Sequence, residues 1–153
     1  VVEIDPLNES EEVFWRALMR ILISLPRCLD ADLVRTVGIT ANEYTTLMCL
    51  SEAPGRELRM TDLANASALS ASRMTRLVDD LQARGLVTKR TSSDDGRGNI
   101  AKLTPAGLAK LKKAWPTHLA SVRSRVFDHV DPGTVTNAAQ ALSKIAAQLE
   151  AGR

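Results

Sequence analysis

The sequence predicts a mainly α-helical fold with one small β-hairpin, and three observations predict it. Apolar residues recur three and four apart toward both ends of the chain. Two short helical patterns joined by a tight turn occupy the middle, and a basic pair of alternating runs suited to strands follows them directly. At 153 residues, 44% hydrophobic and 25% charged, the chain has an ordinary soluble composition and is long enough to bury a core. Aromatics supply only 3%, so that core must rest on Leu, Val, Ile, Ala and Met.

The first helix is expected from Glu11 to about Val37, with Phe14, Leu18, Ile21, Leu25 and Leu29 on its apolar face. Pro26 removes a backbone donor and crowds the preceding turn, which predicts a kink or break near Leu25. Gly38 is a stop and Thr40 a new N-cap, and the next helix buries Tyr44, Leu47, Met48 and Leu50 before Pro54 and Gly55 end it. Thr61 is expected to cap a short helix reaching Ala66. After a turn over Ser67 to Leu69, Ser70 caps a second helix from Ala71 to Arg84, stopped by Gly85. Met74, Leu77, Val78 and Leu81 stand at i, i+3, i+4 and i+7 and commit one face of that helix to the core, leaving Ser72, Arg73, Thr75 and Arg76 on the other. "LVTKR" (Leu86 to Arg90) and "IAKLT" (Ile100 to Thr104) form the hairpin, with "TSSDDGRGN" as its tip. A helix beginning at Thr104 is expected to break at Pro116. Asp131 and Pro132 start the last one, whose Val135, Ala138, Leu142, Ile145 and Leu149 form a narrow apolar seam.

Charge is segregated along the chain. Residues 56 to 113 hold twelve basic and six acidic side chains, a net +6, whereas residues 1 to 55 carry −5. A localised positive field suits a polyanion, although a solvated surface would also account for it. A helix pair whose second member presents small polar and arginine side chains near its N-terminus is the layout of a helix-turn-helix entering a major groove. Short side chains allow close approach to base edges, and the positive dipole end favours nearby phosphates. Followed at once by a basic hairpin, the pair makes a winged helix. The candidate DNA contacts are Ser70, Ser72, Arg73, Thr75 and Arg76 on the helix and Lys89, Arg90, Asp95 and Arg97 on the wing. For Arg97, a solvated turn charge is the competing reading.

Residues Gly38 to Gly107 resemble the MarR family of bacterial transcriptional regulators. The resemblance is carried by "RMTDLA", by "SRMTRLVDDLQARGLV", and by "DGRGNIAKLTPAG", in which Asp95, Gly96 and Arg97 match the family's Asp-x-Arg wing signature and Leu103, Thr104 and Gly107 follow at the expected distance. It implies a homodimer, with residues 1–37 and 105–153 as dimerisation helices around a DNA-binding region at 38–104. It further implies a pseudo-palindromic duplex operator, a repressor's role, and a small-molecule effector that weakens DNA affinity. The seam in the last helix supports a second copy as partner independently, though packing within one subunit would explain it too.

Other classes find less in the sequence. His118 and His129 adjoin no nucleophile motif and there is no phosphate-cradling glycine loop, so no catalytic residue and no enzyme is expected. Cys28 and Cys49 lack metal or redox spacing, so no metal site or cofactor is expected; a cysteine- or metal-dependent sensor and a winged-helix protein-interaction module are the alternatives. No apolar run has membrane-spanning length and the acidic start lacks a secretory layout, which predicts a cytoplasmic protein with no membrane partner. For an effector, Trp15, Arg16, Trp115 and His118 are the candidates, an aromatic pair with a cation suited to a small aromatic anion; core or interface roles for both tryptophans compete with this.

Overall fold

Helix α1 (Glu9–Val37) starts before the periodic residues do, because Asn8 and Glu11 form a capping box. Asn8 Oδ1 accepts the Glu11 N–H at 3.0 Å, and Glu11 Oε2 accepts the Asn8 N–H at 2.8 Å. The computed structural model describes residues 5–91 and 98–151, and its first helix α1 spans Glu9–Val37 without a break. Of the kink or break expected near Leu25, the break does not occur. Pro26 and Leu22, whose carbonyl loses its partner, are both exposed, so water can bond the orphaned oxygen. Only the C-terminal end of α1 reaches the core, through Leu33 and Val37; of the expected apolar face, Phe14 and Ile21 are exposed and Leu18, Leu25 and Leu29 half-buried.

Gly38 ends α1 in the left-handed conformation at φ 66°, and its N–H donates to the Leu33 and Val34 carbonyls at 3.1 and 3.0 Å. A second capping box starts α2 (Ala41–Glu52): Thr40 Oγ1 accepts from Glu43 N at 3.1 Å while Glu43 Oε2 accepts from Thr40 N at 2.7 Å. Asp30 on α1 accepts the Ala41 N–H at 2.8 Å, so the two helices share a cap.

A strand the sequence did not announce comes next. β1 (Glu57–Arg59) is three residues long, too short for an alternation signal, and it pairs antiparallel with β3 (Asn99–Leu103) in the register Glu57 to Lys102, Leu58 to Ala101 and Arg59 to Ile100. β3 also pairs with β2 (Val87–Thr91), which gives a three-stranded sheet in the order β1-β3-β2. Because β1 runs straight into α3 (Met60–Ala66), the N-cap is Arg59 and not the expected Thr61, which lies inside the first turn. α4 (Ala71–Ala83) begins at the expected Ser70 cap and ends before Gly85, at φ 71°.

The core gathers under this sheet. Leu33, Leu47, Leu50, Leu63, Met74, Val78, Leu81 and Val87 have at most 1% of their surface exposed. The three from α4 each contribute up to about 1.5–3 kcal/mol of apolar burial, an upper bound since the unfolded chain already hides some of that surface. Thr104 then ties the sheet to α5 (Pro105–Arg125): its hydroxyl donates toward the Gly85 and Leu86 carbonyls, at 2.8 and 3.0 Å, and accepts from Gly107 N at 2.9 Å. α5 passes through Pro116, against expectation, for the reason that held at Pro26: Lys112, four residues back, is exposed.

The chain divides into two compact units, Val1–His118 and Leu119–Arg153. The second holds the end of α5, a 3-10 turn at Phe127–His129 and α6 (Pro132–Ala151). On α6 the later part of the predicted seam is open to solvent, with Leu142, Ile145 and Leu149 at 49%, 41% and 69% exposure, while Val135 and Ala138 are half-buried.

Candidate nucleic-acid interface

Helix α4 separates two kinds of side chain by its 3.6-residue period. Met74, Val78 and Leu81 are fully buried, whereas Ser72, Arg73, Thr75 and Arg76 are exposed beside the N-terminus. The turn leading into it is tight. Ala68 adopts φ 52°, and Leu69 N donates to the Ala64 carbonyl at 2.9 Å. Ser70 Oγ accepts the Arg73 N–H at 3.4 Å and lies 3.4 Å from Ser72 Oγ, while the Thr75 hydroxyl donates to the Ala71 carbonyl at 2.9 Å. Ser70 and Thr75 therefore spend part of their polarity on the helix itself. Arg73 and Arg76 have no ion-pair partner among the described residues and project their charge from the positive end of the helix.

The strand cations differ. Lys89 pairs with Asp79 of α4, while Arg90 Nη2 lies 2.9 Å and Lys102 Nζ 3.3 Å from the two carboxylate oxygens of Glu57. The Lys102 hydrogen bond, with the charge of Arg90 behind it, holds the Glu57 carboxyl below the usual carboxylate range despite partial burial. Asp95 and Arg97 lie outside the described residues.

Arg84, at the end of α4, has a different task. Its guanidinium donates to Glu43 Oε1 at 2.7 Å and to the Gly38 carbonyl at 3.0 Å, so the same glutamate that caps α2 also holds the end of α4.

The four effector candidates do not form one cluster. His118 stacks on Tyr44 with ring centroids 4.4 Å apart, and Trp115 lies tilted 6.3 Å from His118. Arg16 instead pairs with Glu12 at 2.7 Å, and Trp15 lines a cleft with Leu7, Asn8, Ser10, Glu11 and Phe14. Tyr44 OH and His118 Nδ1 are buried without a hydrogen-bond partner among the described residues. Burial lowers the His118 pKa, so the folded state favours neutral imidazole, and acidification below the ordinary imidazole range costs stability. Burial, with the charge of Glu52 adding to it, raises the phenol of Tyr44. Cys28 and Cys49 are free thiols, Cys49 packed against the core. Among the described residues no group of three or more His, Cys, Asp or Glu could hold a metal ion, and no helix is long and apolar enough to cross a membrane.

A family model described as MarR family matches residues 37–98, a segment opening one residue before Gly38 and containing both short helices. Over nearly the whole chain the fold is similar to Sco3205, a MarR family transcriptional regulator from Streptomyces coelicolor crystallised in complex with DNA: 32% identity, 97% of this chain and 93% of that one, TM-score 0.89. The chain belongs to the MarR family of transcriptional regulators. A second MarR-family structure from the same organism, AbsC, is 34% identical over 98% of this chain and all of that one, with TM-score 0.88. The HTH-type transcriptional repressor YetL of Bacillus subtilis is 29% identical over 94 residues, 61% of this chain, and the alignment spans only 56% of that relative's length.

Within this MarR-family chain, reading the residues in order missed Glu57 and Asp79, the acids that occupy the strand cations, and the pairing of Tyr44 with His118. Glu57 and Arg90 are 33 positions apart, and no local spacing links them. Tyr44 was legible only as a core residue, which at 2% exposure it also is.

Proposed function

We propose that this chain is a homodimeric, ligand-responsive transcriptional repressor that acts in the cytoplasm, catalyses no reaction, and reads a pseudo-palindromic duplex operator with α4. One observation carries the reading: Ser72, Arg73, Thr75 and Arg76 stand exposed at the positive end of a helix whose opposite face is the core, and both arginines are without ion-pair partners among the described residues. The likeness to Sco3205, whose structure contains DNA, supports the same role for this helix. In this reading residues 38–104 bind DNA, and the helices of 1–37 and 105–153 dimerise. The exposed apolar residues Phe14, Trp15 and Leu22 of α1, and separately Leu142, Ile145 and Leu149 of α6, support a second copy as the cover. The effector is assigned to the Trp115–His118 pair beside Tyr44, where two buried polar atoms lack partners among the described residues; Trp15 and Arg16 are left out of it.

The test is footprinting and fluorescence anisotropy on a duplex selected by the protein from a random pool, with sedimentation to fix the stoichiometry. A dimer should protect two half-sites about 34 Å apart, with log K falling by about 0.9 per phosphate contact as log salt rises. A monomer on one half-site, or a flat salt response, overturns the reading.

The wing supplies a second test. Arg97 sits between two glycines in the sequence, a slim tip able to enter a minor groove, and Asp95 two residues back could orient its guanidinium. Arg97→Ala is expected to leave folding intact and to weaken binding by about 1–3 kcal/mol. Asp95→Ala should give a smaller loss in the same direction. Tighter binding by Asp95→Ala would mean that the acid only repels DNA.

A further inference from the structure

Lys89, Arg90 and Lys102 of the sheet are each held by an acid, whereas Arg73 and Arg76 of α4 have no ion-pair partner among the described residues. Glu57 and Lys102 are direct cross-strand partners, and Arg90 lies two residues along β2 from Thr88, which pairs with Lys102 from the other side. Side chains alternate faces along a strand, so all three residues point from the same face, the acid on edge strand β1 and the two bases on β3 and β2, both reaching its carboxylate. The side chains of Arg90 and Lys102 are half exposed, at 50% and 51%, yet both end on the one carboxylate, which is 29% exposed. In the free protein that carboxylate stands where a phosphate oxygen would have to stand to be held by the same two donors. A cation taken from a carboxylate to a phosphate exchanges one anion for another and gains little, because the counterion release that drives non-specific DNA binding requires a cation not already paired.

We propose that Glu57 is a specificity-determining positioning residue, which by occupying Arg90 and Lys102 keeps the sheet from gripping DNA of arbitrary sequence and leaves affinity to the open arginines of α4. The inference rests on the DNA-binding reading above. A random-sequence duplex is free to settle against any cationic face, whereas base contacts from α4 fix the pose of a selected duplex. Freeing the sheet cations therefore favours the random one.

The experiment measures binding of the full chain by anisotropy between about 50 and 300 mM KCl. The probes are a duplex selected by the wild type and a random-sequence duplex of equal length. Glu57→Gln should bind the random duplex up to about eightfold more tightly at 0.1 M salt for each cation that reaches a phosphate, with the salt slope steeper by about 0.9 per contact. The selected duplex should gain less, so discrimination falls. Glu57→Asp should restore the wild-type slope, and adding Arg90→Gln to Glu57→Gln should remove about 0.9 of the gained slope. An unchanged slope and unchanged random-duplex affinity in Glu57→Gln, whatever happens to its melting temperature, would make Glu57 a staple between strands and nothing more. Should that variant fail to fold, Arg90→Gln alone decides: an occupied cation leaves the slope unaltered, and a loss near 0.9 overturns the inference. Wild type that binds neither duplex at 50 mM salt removes the DNA-binding reading itself, an outcome separate from all of these.

Discussion

Gly107→Ala is expected to destabilise the fold by about 3 kcal/mol, at the upper end of what overpacking costs. A Cβ at this position would lie 2.0 Å from the Leu86 carbonyl oxygen, 3.0 Å from the Leu86 carbonyl carbon and 2.7 Å from Leu103 Cδ1. The leucine methyl can rotate away; the backbone cannot. Leu86 O is also the acceptor for Thr104 N at 3.2 Å and Thr104 Oγ1 at 3.0 Å, and Leu86 N donates to Leu81 O at 2.9 Å. Relief therefore means moving α5 off the sheet and stretching the bonds through which Thr104 joins them. Urea unfolding should show a lower midpoint with unchanged slope. Gly133→Ala is the control, since its Cβ would meet only the Asp131 carboxylate at 3.3 Å. Equal stability of Gly107→Ala and wild type would mean that α5 does not pack this closely.

Arg73→Ala and Arg76→Ala should each weaken binding to the selected duplex by about 1–3 kcal/mol if the guanidinium meets a base, with little effect on folding because both side chains are exposed. A phosphate contact would be distinguished by a smaller, sequence-independent loss and a salt slope shallower by about 0.9. The residues stand three apart, on one side of the helix, and contacts sharing one stretch of DNA couple, so the double variant should depart from the sum of the singles. Ser70→Ala should act differently again. Its hydroxyl caps Arg73 N, and its removal should appear first in helix stability. Undiminished affinity in both arginine variants would place the wrong face of α4 against DNA.

Most of what positions α4 was legible because it is local. The Ser70 cap, the stop at Gly85 and the buried Met74, Val78 and Leu81 all follow from spacings within one helix. β1 was not legible, since three residues make a strand only when β3, more than forty positions later, supplies the partner. Neither Pro26 nor Pro116 ends its helix: the residue type reports a lost hydrogen bond, and whether a helix survives the loss depends on what surrounds the orphaned carbonyl. Candidate cations were found by type, but their availability was not. Lys89 and Arg90 look like Arg73 and Arg76 in the sequence, and only the fold shows that Asp79 and Glu57 hold the first two.

The hold of Arg84 on Glu43 and on the Gly38 carbonyl ties the C-terminal end of α4 to the start of α2 and the end of α1, while the buried Met74 and the turn at Ala68 seat its N-terminal end. Were α4 to tilt as a rigid body, Arg84 would be its fulcrum. Thirteen residues at about 1.5 Å each give an arm of roughly 20 Å. A tilt of roughly 10° about such a fulcrum would carry Ser70 and Ser72 by about 3 Å, the length of one hydrogen bond, while hardly moving Ala83. The packing that seats Met74 in the core therefore matters most for where Arg73 and Arg76 stand.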